Sequence, residues 1–87
     1  VTFWAEIENI DDLPKQILVQ GTQDNVASYR GKIYLEIKDS IKITKNGEIC
    51  DLTELKEGQL IKVYFSGLMY ATVPQIASNI KEIEIIQ

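Results

Sequence analysis

Apolar and polar residues alternate along most of this chain with the period of two that places successive side chains on opposite faces of a β-strand. In residues 2–10, Phe3, Ala5 and Ile7 fall on one face and Trp4, Glu6 and Glu8 on the other. Residues 32–38 turn Ile33, Leu35 and Ile37 inward and Lys32, Tyr34, Glu36 and Lys38 outward. Residues 59–66 turn Ile61, Val63 and Phe65 in and Lys62 and Tyr64 out. The last segment, 80–86, faces Ile83 and Ile85 inward and Glu82 and Glu84 outward. Within 16–20 the run Ile17-Leu18-Val19 is continuously apolar and reads as a short buried strand. Ile dominates the apolar set with Val and Thr in support, and branching at Cβ suits a pleated surface better than a helix.

Turn signals divide these runs. Asp11-Asp12-Leu13-Pro14 is a turn, because Pro14 donates no ladder hydrogen bond and pushes Leu13 out of the helical region. Residues 21–31 are polar with glycine at both ends and read as a long loop. Asp39-Ser40 interrupts before 41–45, where alternation resumes. Asn46-Gly47 is the strongest hairpin signal, since both central residues of a type I′ turn need positive φ, and it joins 41–45 to a short return at 48–50. Asp51-Leu52-Thr53-Glu54 has the form of a capping box and Gly58 stands where a helix exit would sit, so one helical turn is expected near 52–57. Gly67 breaks or bulges its strand, and 68–73 continues extended to Pro74. The pattern predicts an all-β domain over 1–87: a small five- to six-stranded barrel, OB-like with an SH3-like alternative, since closure removes exposed edges.

Composition narrows the chemistry. The chain has 87 residues, 45% hydrophobic and 25% charged, an ordinary globular balance. Lys and Arg number 9 against 13 Asp and Glu, and the net charge of −4 argues against a dedicated polyanion binder. There is no His and only one Cys. Histidine acid–base chemistry, Ser-His-Asp and Cys-His pairs, zinc sites and an intrachain disulfide are therefore excluded, and no cofactor or metal is expected. No apolar run approaches the ~18 residues of a membrane-spanning helix. Val1 in place of an initiator Met predicts a processed product or a fragment.

Among candidate residues, Cys50 has Asp51 beside it and no base, so a structural thiol sealed beneath 51–58 is expected. The acidic pairs Asp11 with Asp12, Glu54 with Glu57, and Glu82 with Glu84 read as solvated faces rather than paired catalytic carboxylates. Trp4, Tyr34 and Tyr64 are the more informative set. All three fall on outward faces, where an OB-like sheet stacks bases or sugars and where interfaces are enriched in Trp and Tyr.

The second half resembles a known pattern. Leu52 to Gln59, then Val63-Tyr64-Phe65-Ser66-Gly67, then Pro74-Gln75-Ile76-Ala77 are similar to the small domain of unknown function typified by YobA. The shared elements are Gly58-Gln59, Phe65 with Gly67, Pro74-Gln75 with Ala77, and the final strand, with Ile17-Leu18-Val19 also in place. Tyr64 departs from it where Trp is about as common, and so does the Asn46-Gly47 hairpin. The resemblance implies a small barrel from an exported, membrane-anchored bacterial protein whose anchor precedes Val1, and implies no activity. Physically, Gly58 supports a helix exit, Gly67 a bulge or a tight approach, Pro74 a turn where the chain leaves the sheet, and Gln75 a buried amide bridging backbone groups. The functional expectation is a non-enzymatic binding module whose partner is a cell-envelope protein or glycan. The alternative is an OB-type oligonucleotide or oligosaccharide binder, with nucleic acid disfavoured by the charge.

Overall fold

A computed structural model of the chain describes residues 1–38 and 40–87, so half of the break expected at Asp39-Ser40, namely Asp39, lies outside the described residues. The strands are β1 (Thr2–Asn9), β2 (Gln16–Gly21), β3 (Gly31–Glu36), β4 (Lys42–Lys45), β5 (Glu48–Cys50), β6 (Leu60–Phe65), β7 (Met69–Tyr70), β8 (Gln75–Ala77) and β9 (Ile80–Ile85). All nine belong to one sheet in the order β5-β4-β9-β6-β1-β2-β3-β8-β7. Among the described residues the helical elements are two single 3-10 turns, Ala27–Tyr29 and Leu52–Glu54. The chain is all-β.

Nine strands laid flat at ~4.8 Å spacing would spread close to 40 Å. The Cα trace measures 30 × 24 × 23 Å, so the sheet is strongly coiled around its buried face. The chain itself carries the two ends of the order toward each other. β8 runs on into β9 across Ser78 and Asn79, and β3 is followed by β4. The two halves of this arrangement pair in parallel, Ile33 with Gln75 and Leu35 with Ala77 on one side, Lys42 with Glu82 and Lys45 with Ile85 on the other. The terminal strands β5 and β7 do not hydrogen-bond to each other, so the sheet has two edges where a closed five- or six-stranded barrel was expected. The extra strands come from 69–77, where a pair of two- and three-residue strands is too short to show a period.

One face of every long strand fills the interior, with Phe3, Ile7, Ile33, Leu35, Ile61 and Ile83 all buried. Each contributes roughly 1.5–3 kcal/mol by leaving water. Phe3, Tyr29 and Phe65 form an aromatic cluster in the core, with Tyr29 stacked on Phe3 at 5.3 Å and edge-on to Phe65 at 5.8 Å. Tyr29 belongs to the loop between β2 and β3, which is thereby drawn against the core. The Asn46-Gly47 hairpin forms as read, with φ of 54° and 80°.

Three local expectations are corrected. Asp51 makes no side-chain capping bond, and the turn after it stops at Glu54 because the backbone at Leu55 is already extended. Gly58 (φ +89°) closes a turn before β6 instead of a helix, with its N–H on the Ile7 carbonyl at 2.8 Å. The side chain of Gln59 stabilises that turn, accepting from Lys56 N–H at 2.8 Å and donating to the Glu54 carbonyl at 2.9 Å. Pro74 precedes β8, so the chain enters the sheet there instead of leaving it. Gly67 keeps the reading of a close approach: it has φ +96°, and a Cβ would lie 3.2 Å from Val1 Cγ2.

Candidate functional site

The outward residues of the sheet form two separate surfaces. On β4, β9, β6 and β1, register sets Trp4 opposite Lys62, and Lys62 opposite Glu84. The Lys62 ammonium lies 5.2 Å from the centroids of both the Trp4 and Tyr64 rings, within cation–π range of each. Tyr64 donates its hydroxyl to Glu84 Oε1 at 2.8 Å, and Thr44 donates to Glu82 Oε2 at 2.8 Å. The hydrogen bond to Glu84 raises the Tyr64 pKa above its ordinary 10, with burial and the two nearby carboxylates adding in the same direction. The glutamates expected as a merely solvated face are thus engaged in cross-strand bonds, and the aromatics there are partnered by groups of their own sheet.

The second surface lies on β2, β3, β8 and β7. Leu18 pairs with Tyr34, Tyr34 with Ile76, and Ile76 with Tyr70, which puts all four in one outward row across four strands. Leu18 therefore faces out, half-buried, contrary to a strand buried on both sides. Its sequence gives no alternation because both of its faces are apolar, one against the core and one in this row. Leu68, Tyr70 and Val73 around the row are exposed, Val73 completely. Tyr34 therefore does not join Trp4 and Tyr64. The N–H of Thr22, just past the end of β2, bonds the Trp4 carbonyl, whereas Tyr34 lies across from Leu18. Tyr34 is thus four residues along and two strands away from Trp4, on the order of 15 Å by strand geometry.

The loop between β2 and β3 joins the two surfaces through Asn25, which sequence reasoning passed over. Its buried amide accepts from Trp4 N–H at 2.9 Å and donates to the Trp4 carbonyl at 2.7 Å and the Tyr29 carbonyl at 3.1 Å. One side chain thus continues the pairing of β1 past the end of β2. The expectation that Gln75 bridges backbone groups is met by Asn25 instead; Gln75 is half-buried with no side-chain hydrogen bond among the described residues. A faint signal was Gly21, since a Cβ there would stand 1.8 Å from the Tyr29 carbonyl oxygen, which requires this loop to fold back against β2.

Beside the second surface, Ser28, Arg30, Lys32, Thr72, Pro74 and Gln75 help to line a groove of about 390 Å³ between the loop and the β7–β8 turn. Arg30 is the chain's one arginine. Its Nε donates to the Asn25 carbonyl at 3.0 Å, which fixes the guanidinium at one end. Among the described residues no carboxylate pairs with it, whereas Lys32 pairs with Glu8.

A larger depression of about 530 Å³ opens at the other end, where Ile41, Ile43, Ile49, Cys50 and Leu52 line it together with Pro14. Cys50 is half-buried at its wall and packs against the core, so the thiol is not sealed under 51–58. The turn expected to cover it is too short, ending at Glu54. Among the described residues no three of His, Cys, Asp and Glu converge, and no helix is long and apolar enough to cross a membrane. No family model, curated protein or solved structure matches the chain.

Proposed function

We propose that this chain is a non-enzymatic binding module built as an OB-like barrel, with the outer face of β2, β3, β8 and β7 as its ligand surface. The observation that carries the reading is the row Leu18, Tyr34, Ile76 and Tyr70, apolar and aromatic side chains aligned on the water side of a sheet. A row of that kind has no role in the core and exposes apolar surface that a ligand would cover. The barrel part of the proposal rests on strand order. β3 pairs in parallel with β8 and β4 with β9, and this double parallel pairing supports a barrel that closes the meander of β1, β2 and β3 through β9 and β6. That parallel pair favours the OB-like over the SH3-like alternative, and the OB fold binds on this part of its sheet. The similarity of 52–86 to the YobA-like family supports an exported, membrane-tethered setting, with a cell-envelope protein or glycan as the partner class. With no His and one Cys, no nucleophile–base pair is available to argue for an enzyme.

A second reading places an oligonucleotide on Trp4, Lys62 and Tyr64, favoured by the cation between two rings. The carboxylates of Glu82 and Glu84 beside it oppose a phosphate backbone. Trp4 is the only tryptophan, so its emission reports on that surface alone. Titration with short oligosaccharides and with oligo-thymidylate separates the readings. The proposal expects oligosaccharide binding that Tyr34→Ala or Tyr70→Ala abolishes while Trp4 emission stays constant. Saturable quenching of Trp4 by oligo-thymidylate at moderate salt would overturn it in favour of the second.

A further inference from the structure

The groove beside the aromatic row has a chemical bias that the rest of the surface lacks. The chain carries a net charge of −4, yet the groove is lined by Arg30 and Lys32 with no Asp or Glu lining it among the described residues. Lys32 already holds Glu8. Arg30 is different: its Nε is tied to the backbone of its own loop at 3.0 Å, and its terminal nitrogens have no hydrogen-bond partner among the described residues. A guanidinium anchored at one end and free at the other presents a planar two-donor fork, the geometry that matches a carboxylate. Anchoring also reduces the side-chain freedom lost when a ligand binds.

The neighbours of the fork define the remainder of the ligand. Lys32 lies two residues from Tyr34 on the same outer face of β3, so the groove adjoins the aromatic row. Tyrosine ring faces are electron-rich and suit the C–H face of a sugar ring. Around them stand neutral hydrogen-bonding groups: the Gln20 amide opposite Lys32, the Gln75 amide, which makes no bond among the described residues, and the Ser28 hydroxyl. Amides and hydroxyls that both donate and accept match sugar hydroxyls. Toward the other flank the row meets Glu36, whose Oε1 accepts from the Ser78 hydroxyl at 2.9 Å and pairs with the Lys38 ammonium at 3.5 Å. We propose that this face binds an acidic sugar chain, with sugar rings on Tyr34 and Tyr70 and a uronate-type carboxylate on Arg30. The proposal rests on the binding-face reading above and names its ligand.

Trigalacturonic acid is the probe, with its methyl ester as the uncharged counterpart and hexaglutamate and oligo-thymidylate as competing anions. Calorimetric titration of the intact chain should show saturable binding of the acid and binding of the ester weaker by about tenfold or more. Arg30→Gln should lose about tenfold in affinity for the acid, Lys32→Gln less, and Tyr64→Phe nothing, with unchanged amide spectra showing each variant folded. Equal affinity for acid and ester, or an unaltered affinity in folded Arg30→Gln, would overturn the carboxylate assignment. Tighter binding of hexaglutamate or oligo-thymidylate would overturn the sugar assignment while leaving the face intact, provided Tyr34→Ala abolishes it. Binding of every probe insensitive to both Tyr34→Ala and Tyr70→Ala would overturn the face reading itself.

Discussion

The two outward surfaces of the sheet are built from the same alternation and end in opposite states. Around Trp4 and Tyr64 each polar or aromatic side chain meets a complement on the next strand: Lys62 between the two rings, Glu84 under the Tyr64 hydroxyl, Glu82 under Thr44. Around Tyr34 the cross-strand neighbours are Leu18 and Ile76, which offer packing but no partner for a ring face or a hydroxyl. Arg30, in the groove beside that row, is held by its own loop and pairs with no carboxylate among the described residues. Outward aromatics therefore do not by themselves mark a binding surface. What marks one is an aromatic whose register neighbours leave its interactions unfilled.

The sharpest way to break the comparison is to release the loop that joins the surfaces. Asn25→Ala leaves the Trp4 N–H without its acceptor and removes two further bonds to backbone carbonyls. A buried backbone group left unpaired costs ~1–3 kcal/mol, so urea denaturation should show a loss of about 3 kcal/mol. The same variant should loosen Arg30, whose Nε bonds the Asn25 carbonyl. A loss below about 1 kcal/mol would mean that water replaces the amide readily and that the loop is not pinned through it.

Next in size is the Tyr64 contact. Tyr64→Phe removes one hydrogen bond to a carboxylate on a largely wet surface, and the expected cost is about 0.5–1 kcal/mol at neutral pH. The pH dependence has a definite sign. Tyr64 has its pKa raised in the folded state, so its contribution is complete below the unfolded value near 10 and is lost as pH rises through the higher folded value. Wild-type protein should lose stability across that alkaline window more steeply than Tyr64→Phe; parallel stability curves would contradict the bond to Glu84.

The smallest effect belongs to the other surface. Tyr70 is 47% exposed at the sheet edge with no side-chain hydrogen bond among the described residues, and Tyr70→Ala should change stability by no more than about 0.5 kcal/mol. A substantially larger loss would show that the row is a packing element of the fold.

The strands that alternate, β1, β3, β6 and the last four residues of β9, were legible because half of their side chains meet the core and half meet water. β8 was not, because three residues after a proline show no period, and its pairing with β3 depends on residues more than forty positions away. The outward placement of Trp4, Tyr34 and Tyr64 could be read from parity alone. Their division into two surfaces could not, since it follows from register between distant strands. Asn25 was invisible for a related reason: an Asn in a polar loop looks the same whether it faces water or completes a sheet. Leu18 misled because an apolar residue on an outward face and one in a core are the same letter. Cys50 was expected under a helical turn that a capping-box pattern predicted, but Leu55 is buried in the core and its backbone is extended, which ends the turn early.

The most direct test of the central claim is a backbone amide shift map of the intact chain titrated with trigalacturonic acid. The two-surface account predicts saturable shifts at Leu18, Arg30 to Tyr34, Tyr70 to Val73 and Gln75 to Ile76, with Trp4, Lys62, Tyr64 and Glu84 unmoved. Shifts centred on Trp4 and Tyr64, with the Tyr34 row silent, would contradict it.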